Sequence, residues 1–377
     1  MSRIVILGSG AWGTAIALSL HRRGDHEIVL WSHSKEEAAG IAAARENKLF
    51  LPGFPLPDSI HITAEPDPIA QAEILVSVIP SEFLRPTIAR LRPYFRTGQI
   101  IVSATKGIEN GTCLRMTEVI ASVLGETEQP QPPIAPSVAN ADVHLEVFTE
   151  LNAPEVSSSG IPAAPASLDR LNLSIGAFSG PTFALEVAQG QPTAVTVAFD
   201  EPAIAASVQN EFSSETLRLY TTTDVIGVEL GGALKNVIAI AAGVTAGAGL
   251  GYNSAAALMT RGIAEITRLA VACGGRRETL AGLSGTGDLV LTCTGTLSRN
   301  RTVGQALGQG RKLPEILESL GGKVAEGVLT TRGALELARR RNIEMPITEQ
   351  MELILDEGKD PQEAIKDLML RPGKDEH

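Results

Sequence analysis

Along the first half of the chain, short β-branched runs alternate with longer amphipathic stretches. Runs 4–7, 28–31, 74–79, 100–103 and 173–178 read as buried strands, and the segments between the first four suit helices and turns. This βαβ rhythm predicts a parallel sheet with helices on both faces. Beyond about residue 221 the period becomes helical, over 224–246, 254–273, 277–281, 302–308, 313–320, 330–341, 347–356 and 361–369, with Gly and Pro as punctuation. The expected fold is α/β: a doubly wound sheet in an N-terminal domain, 1–221, followed by an all-helical C-terminal domain, 222–377.

One stretch belongs to neither half. Residues 126–172 hold seven of the 22 prolines, a Ser157-Ser158-Ser159 run and almost no basic residues, which reads as a Pro-rich surface insertion. The alternation Val143, Leu145, Val147 leaves a local strand as the lesser alternative. No chemistry is assigned to it.

Composition narrows the function classes. With 44% hydrophobic and 20% charged residues in 377, the chain has ample material for packed cores. A formal net charge of −11 argues against a general electrostatic grip on nucleic acid or on an acidic membrane surface, so an anionic ligand must be held by a few placed cations. Three scattered cysteines (Cys113, Cys273, Cys293) suit neither a disulfide framework nor a zinc ribbon and fit a reducing cytosol. The six histidines lack metal-ligand spacing, so no metal is expected. A strand-like run beginning at Arg3 leaves no room for a signal peptide, and the uncharged stretch 236–260, broken by glycines, reads as buried helices with a break rather than a membrane span.

The first chemical signal is Gly8-Ser9-Gly10-Ala11-Trp12-Gly13, a G-x-G-x-x-G directly after a strand and before an amphipathic run. The first glycine permits a tight turn, the second lets backbone approach a pyrophosphate, and the third allows close helix packing. In this setting the motif indicates a Rossmann-like dinucleotide site rather than a structural turn. The slot about 20 residues on, where an NAD-selective site usually carries a carboxylate, holds Ser32-His33-Ser34, so NADP is expected to be tolerated.

Four further spots carry polar groups. Lys106, against Gly107 after the run 100–104, faces the cofactor crevice if the sheet is open; a solvated loop lysine is the plain alternative. Lys235 sits alone in the apolar, small-residue helix Gly231-Gly232-Ala233-Leu234-Lys235-Asn236-Val237. Burial beside a second cation would lower its pKa from ~10.4 toward the operating pH, as a general acid/base requires, whereas snorkelling to the surface would leave it inert. Asp288 lies in Ser284-Gly285-Thr286-Gly287-Asp288, and Ser298-Arg299-Asn300 opens a helix, which suits either a phosphate dianion or simple capping.

Taken together, these residues resemble the bacterial-type NAD(P)-dependent glycerol-3-phosphate dehydrogenases. The matching stretches start at Gly8, Ala104 (Ala-Thr-Lys-Gly), Ser179 (Ser-Gly-Pro-Thr-Phe-Ala), Gly231, Gly287, Ser298 (Ser-Arg-Asn-Arg) and Val324 (Val-Ala-Glu-Gly), in order through nearly the whole chain. The resemblance implies interconversion of sn-glycerol 3-phosphate and dihydroxyacetone phosphate with NAD or NADP, feeding glycerophospholipid synthesis. The expected location is the cytoplasm, and the assembly is left open, with a homodimer as one alternative. The resemblance implies Lys235 as proton acceptor or donor, with Lys106, Gly180, Thr182, Asp288, Ser298, Arg299 and Asn300 around the substrate. It also implies Gly8, Gly10, Ala11, Trp12, Gly13, His33, Lys106, Ala184, Arg299, Val324 and Glu326 around the cofactor. The insertion 126–172 is a departure from the family pattern and lies outside every matched motif. Two rival readings stand beside this one: a related two-domain β-hydroxyacid dehydrogenase, which has no need of Ser298-Arg299-Asn300, and a nucleotide-sensing module without catalysis, which should have lost Lys235 or Lys106.

Overall fold

A computed structural model describes residues 2–125, 171–319, 325–373 and 375. Strands β1 (Ser2–Leu7), β2 (His26–Trp31), β3 (Ile60–Thr63), β4 (Ile74–Ser77), β5 (Ile100–Ser103), β6 (Ser174–Ser179), β7 (Thr193–Ala198) and β8 (Leu217–Thr222) form one sheet. Their order is β3-β2-β1-β4-β5-β6-β7-β8. Helices α1 (Ala11–Arg23), α2 (Lys35–Ala44), α3 (Ser81–Leu91), α4 (Met116–Leu124), α5 (Ala184–Ala188) and α6 (Pro202–Phe212) flank it. Strand β1 shows why the sheet is covered on both faces. Ile4 and Ile6 join one apolar cluster, Val5 and Leu7 another, and all four are fully buried.

Strands β1 to β6 pair in parallel, as the βαβ rhythm requires. The pairing of β6 with β7 departs from the expected parallel sheet, because these two run antiparallel, with Phe178 opposite Val197. Only residues 180–192 join them, and a short return of this kind leads the chain back beside the strand it has just left. That return loop hangs at the carboxyl end of β6, on the same rim as the turn after β1. Three strands, β3, β7 and β8, go beyond the sequence reading.

The second half is helical: α7 (Val225–Gly247), α8 (Tyr252–Ala272), α9 (Arg277–Ala281), α10 (Asp288–Thr294), α11 (Arg299–Gly308), α12 (Leu313–Ser319), α13 (Glu326–Arg341), α14 (Pro346–Asp356) and α15 (Pro361–Met369). Helix α7 is its axle. Asp224 caps it by accepting from the Gly227 amide at 2.8 Å, and it is apolar and long enough to cross a membrane, yet 94% of its most apolar stretch is buried inside the protein. Helix α11 crosses it at backbone contact, since a Cβ on Gly304 would lie 1.9 Å from the Ile240 carbonyl oxygen. This close crossing sets the first turn of α11 beside the middle of α7. The break expected within 236–260 falls between Gly247 and Tyr252, but the start of α8 is exposed rather than buried, with Tyr252 95% accessible.

The two halves are tied by a largely buried ion pair. Arg115 Nη1 donates to Glu229 Oε2 at 2.5 Å, and the Thr117 amide donates to Glu229 Oε1 at 2.8 Å. Because Glu229 lies on α7, this lock holds the axle helix against the start of α4. The Pro-rich insertion, apart from Leu171 and Asn172, lies outside the described residues.

Candidate active site

The turn after β1 is built around its glycines. Gly8 has φ +125°, and a Cβ on Gly13 would lie 1.9 Å from the Gly8 carbonyl oxygen, so neither position accepts a larger residue without movement. A Cβ on Gly10 would meet nothing within 4 Å, so backbone there faces open space. Gly10 is also the N-cap of α1, which has no side-chain cap and no acidic residue in its first turn, leaving amides and the positive end of the helix directed at that space. These features fit the pyrophosphate of a dinucleotide. Asn47 braces the turn from behind, donating from Nδ2 to the Ser9 carbonyl at 2.6 Å and to Thr14 Oγ1 at 2.8 Å.

Other residues singled out by sequence lie around the turn. Trp12 stacks on Phe178 with ring centroids 6.2 Å apart, and Ala184 packs against the same apolar cluster. His33 is exposed just past the end of β2. No carboxylate occupies 32–34, but one arrives from α2, where Ser9 Oγ donates to Glu37 Oε1.

At the same rim of the sheet, three charged groups from distant parts of the chain meet. Lys106, in the loop after β5, donates from Nζ to Asp288 Oδ2 at 2.6 Å and to the Gly180 carbonyl at 3.5 Å. Lys235, in the middle of α7, donates to Asp288 Oδ1 at 2.8 Å and to Thr292 Oγ1 at 2.7 Å. Lys235 is buried, so the surface-snorkelling alternative does not apply, and Lys106 is tied to a carboxylate rather than loose in solvent. Asp288 and Thr292 stand one turn apart on α10, and the Thr292 hydroxyl donates to the Asp288 carbonyl at 2.7 Å, which fixes it as an acceptor toward Lys235.

Burial sets the acid–base character of this cluster. It pushes the Lys235 ammonium down to about 8; Asp288 opposes the shift and Lys106 adds to it. Burial pushes the Asp288 carboxyl up, but the Lys106 and Lys235 ammonium groups outweigh it and hold the acid below its ordinary value. Two ammonium groups around one carboxylate leave the pocket with an excess positive charge. An anionic substrate and an oxygen gaining negative charge are both favoured there.

The start of α11 closes the site. Ser298 caps the helix, its Oγ accepting from the Arg301 amide at 3.2 Å, which leaves the hydroxyl hydrogen able to donate to a ligand. Asn300 is a bridge: its Nδ2 donates to Asn236 Oδ1 at 3.0 Å and its Oδ1 accepts from the Gly327 amide at 3.0 Å. Arg299 is exposed between them. Burial pushes the neighbouring Glu326 carboxyl up to about 7, against the pull of Arg299, Lys106 and Lys235. Glu326 is thus within electrostatic reach of all three cations. Thr182 Oγ1 donates to the Gly180 carbonyl at 3.1 Å on the rim opposite. Val324 lies outside the described residues. Thr292, Asn236, Asn47 and Glu37 take part in this geometry without having been singled out by sequence. Among the described residues no three His, Cys, Asp or Glu side chains are grouped to hold a metal ion.

Comparison with known proteins points to one family. Residues 3–153 match the family profile of the N-terminus of NAD-dependent glycerol-3-phosphate dehydrogenase, and residues 224–366 that of its C-terminus. The chain is 51% identical over 381 residues to the protein named glycerol-3-phosphate dehydrogenase, NAD(P)+, of Acidobacterium capsulatum, covering 100% of each chain. It is 44% identical to the one so named of Geobacter sulfurreducens, covering 99% of this chain and 98% of that one. The crystal structure of glycerol-3-phosphate dehydrogenase from Coxiella burnetii superimposes with a TM-score of 0.82 at 34% identity, covering 98% and 99% of the two chains. This chain belongs to the NAD-dependent glycerol-3-phosphate dehydrogenase family.

Proposed function

We propose that the protein interconverts sn-glycerol 3-phosphate and dihydroxyacetone phosphate with NAD(P)(H), and that Lys235 moves the proton. The observation that carries this reading is the Lys106–Asp288–Lys235 cluster, whose Lys106 follows β5 at the same carboxyl rim of the sheet as the glycine-rich turn after β1. Neither rival sequence reading finds a specific support in the structure. Reduction of dihydroxyacetone phosphate by the purified protein, followed through loss of NADH or NADPH absorbance, tests it directly. Absence of turnover with both coenzymes would remove the assignment.

The bound nicotinamide supplies a hydride acceptor, or in reverse a donor, for C2 of the substrate. In the oxidation direction neutral Lys235 takes the C2 hydroxyl proton; in reduction its ammonium returns a proton to the ketone oxygen. Asp288 and Thr292 fix two directions around Nζ, leaving its remaining bonding direction for substrate. Lys106 lies on the other oxygen of Asp288 and steadies negative charge on the reacting oxygen. Arg299, the Ser298 hydroxyl and the second Nδ2 hydrogen of Asn300 hold the phosphate at the amino end of α11, while Gly180 and Thr182 line the opposite wall. Gly8, Gly10, Ala11, Trp12, Gly13, His33, Ala184, Val324 and Glu326 are assigned to the dinucleotide. The same reading divides the chain into a dinucleotide half, 1–221, and a substrate half, 222–377.

The two directions should respond oppositely to pH. With Lys235 near 8, ketone reduction needs the ammonium, so its kcat/KM should be level below pH 8 and fall above it. Alcohol oxidation needs the neutral amine and should fall as the pH drops below 8. Profiles of both directions at fixed ionic strength measure this. The same slope in both directions would show that Lys235 is not the group that titrates.

Three free thiols suit the cytoplasm, where glycerophospholipid synthesis would draw on the product. A homodimer belongs to the same reading, since exposed Leu250 and Tyr252 at the start of α8 offer apolar surface to a second copy. A sedimentation mass of one chain at micromolar concentration would remove the dimer.

A further inference from the structure

The family's coenzyme description, NAD(P)+, leaves open which coenzyme this chain prefers. The end of β2 bears on that choice, because in doubly wound folds the adenosine ribose lies between this point and the glycine-rich turn. There an acidic side chain accepts from the ribose 2′-hydroxyl, whereas a 2′-phosphate needs a cation. The usual slot holds Ser32, His33 and Ser34.

The structure fills the gap from an unexpected place. Glu37, on the first turn of α2, reaches back to the turn, where its Oε1 accepts from the hydroxyl of buried Ser9. Its backbone is anchored as well, since the Glu37 amide donates to Ser34 Oγ at 3.1 Å. One carboxylate oxygen is therefore committed to Ser9, and the second oxygen, Oε2, accepts from no donor among the described residues.

The surroundings are unfavourable to another anion. The amino end of α2 is a natural seat for a phosphate, but this one is served by the protein itself: Ser34 caps it, and Glu36 and Glu37 complement its positive end. Glu36 accepts from Ser34 Oγ at 2.9 Å. The basic groups on the same connection are His33, which is exposed, and Lys35, which pairs with Glu65 at 3.0 Å.

We infer that Glu37, held by Ser9, makes the protein select NAD(H) over NADP(H) by accepting from the ribose 2′-hydroxyl and repelling a 2′-phosphate. This rests on the reading of the glycine-rich turn as the dinucleotide site, and equilibrium binding without substrate separates the two. NADH and NADPH would be titrated into the purified protein by fluorescence, for the native chain, E37Q and E36Q. The native chain should bind NADH about tenfold or more tighter than NADPH, the factor that one hydrogen bond to a charged group supplies. E37Q should bring the two affinities together, chiefly by tightening NADPH, and E36Q should narrow the ratio much less, because Glu36 bonds to Ser34 and not to the glycine-rich turn. Raising the salt concentration should narrow the native ratio and leave that of E37Q unchanged. Equal native affinities, or an E37Q change that weakens both coenzymes alike, would overturn the inference and leave Glu37 a brace for the turn. Failure of the native chain to bind either coenzyme would overturn the dinucleotide reading together with it.

Discussion

Replacing Lys235 by alanine should lower turnover of dihydroxyacetone phosphate by about 10² to 10⁴, the usual worth of a positioned proton-transfer group, with coenzyme binding close to native. The structure gives reasons for both halves of that expectation. Lys235 makes no hydrogen bond to the turn after β1; its side-chain partners are Asp288 and Thr292. Its removal does not strand a buried charge, since Asp288 keeps Lys106 at 2.6 Å. The variant should therefore fold. Lys235→Met, which keeps the apolar volume in the middle of α7, is the companion: it should be as inactive and melt closer to the native temperature. Either variant should also erase the fall in ketone reduction above pH 8. Near-native turnover in a folded Lys235→Met protein would sink the assignment.

What sequence revealed and what it concealed divide along a physical line. The β1 strand, the glycine turn and α1 are contiguous, and each glycine has a local steric reason, so that unit is legible from one short stretch. Lys235 stands out because nothing else in α7 between Leu230 and Gly247 is charged. Its partner could not be found in the same way. Asp288 lies 53 residues further on and 182 beyond Lys106, and only folding brings the three together. Thr292 was hidden for a different reason. The stretch 288–294, Asp-Leu-Val-Leu-Thr-Cys-Thr, is rich in β-branched residues and shows no helical signature, yet it forms α10 because it packs on α7. Without that helix the four-residue spacing of Asp288 and Thr292 carries no meaning. Glu37 is not legible from the slot at the end of β2, because this carboxylate comes from the next helix, turned back by its own cap. Strands β7 and β8 were missed because they follow the short return after β6, where the βαβ rhythm stops.

Arg299→Ala should raise the KM for dihydroxyacetone phosphate about tenfold to a hundredfold, since a charge-assisted hydrogen bond is worth about 1.5 to 3 kcal/mol. Turnover should fall too, because a substrate held loosely at its phosphate presents its carbonyl poorly to Lys235. The fold should tolerate the change: Arg299 is exposed, and the start of α11 is fixed by the Ser298 cap and the Asn300 bridge to Asn236 and Gly327. One complication comes from Glu326, whose carboxyl Arg299 pulls down against the upward push of burial. With the arginine gone, Glu326 holds its proton to higher pH, and coenzyme contacts nearby change with it. A phosphate-free ketone, dihydroxyacetone, separates the two effects. If Arg299 anchors the phosphate, the variant should lose far more kcat/KM with the phosphorylated ketone than with dihydroxyacetone, and added inorganic phosphite should speed dihydroxyacetone reduction in the native chain but not in the variant. Equal losses with both ketones, together with a weakened coenzyme, would move Arg299 out of the anion site and into the dinucleotide site beside Glu326.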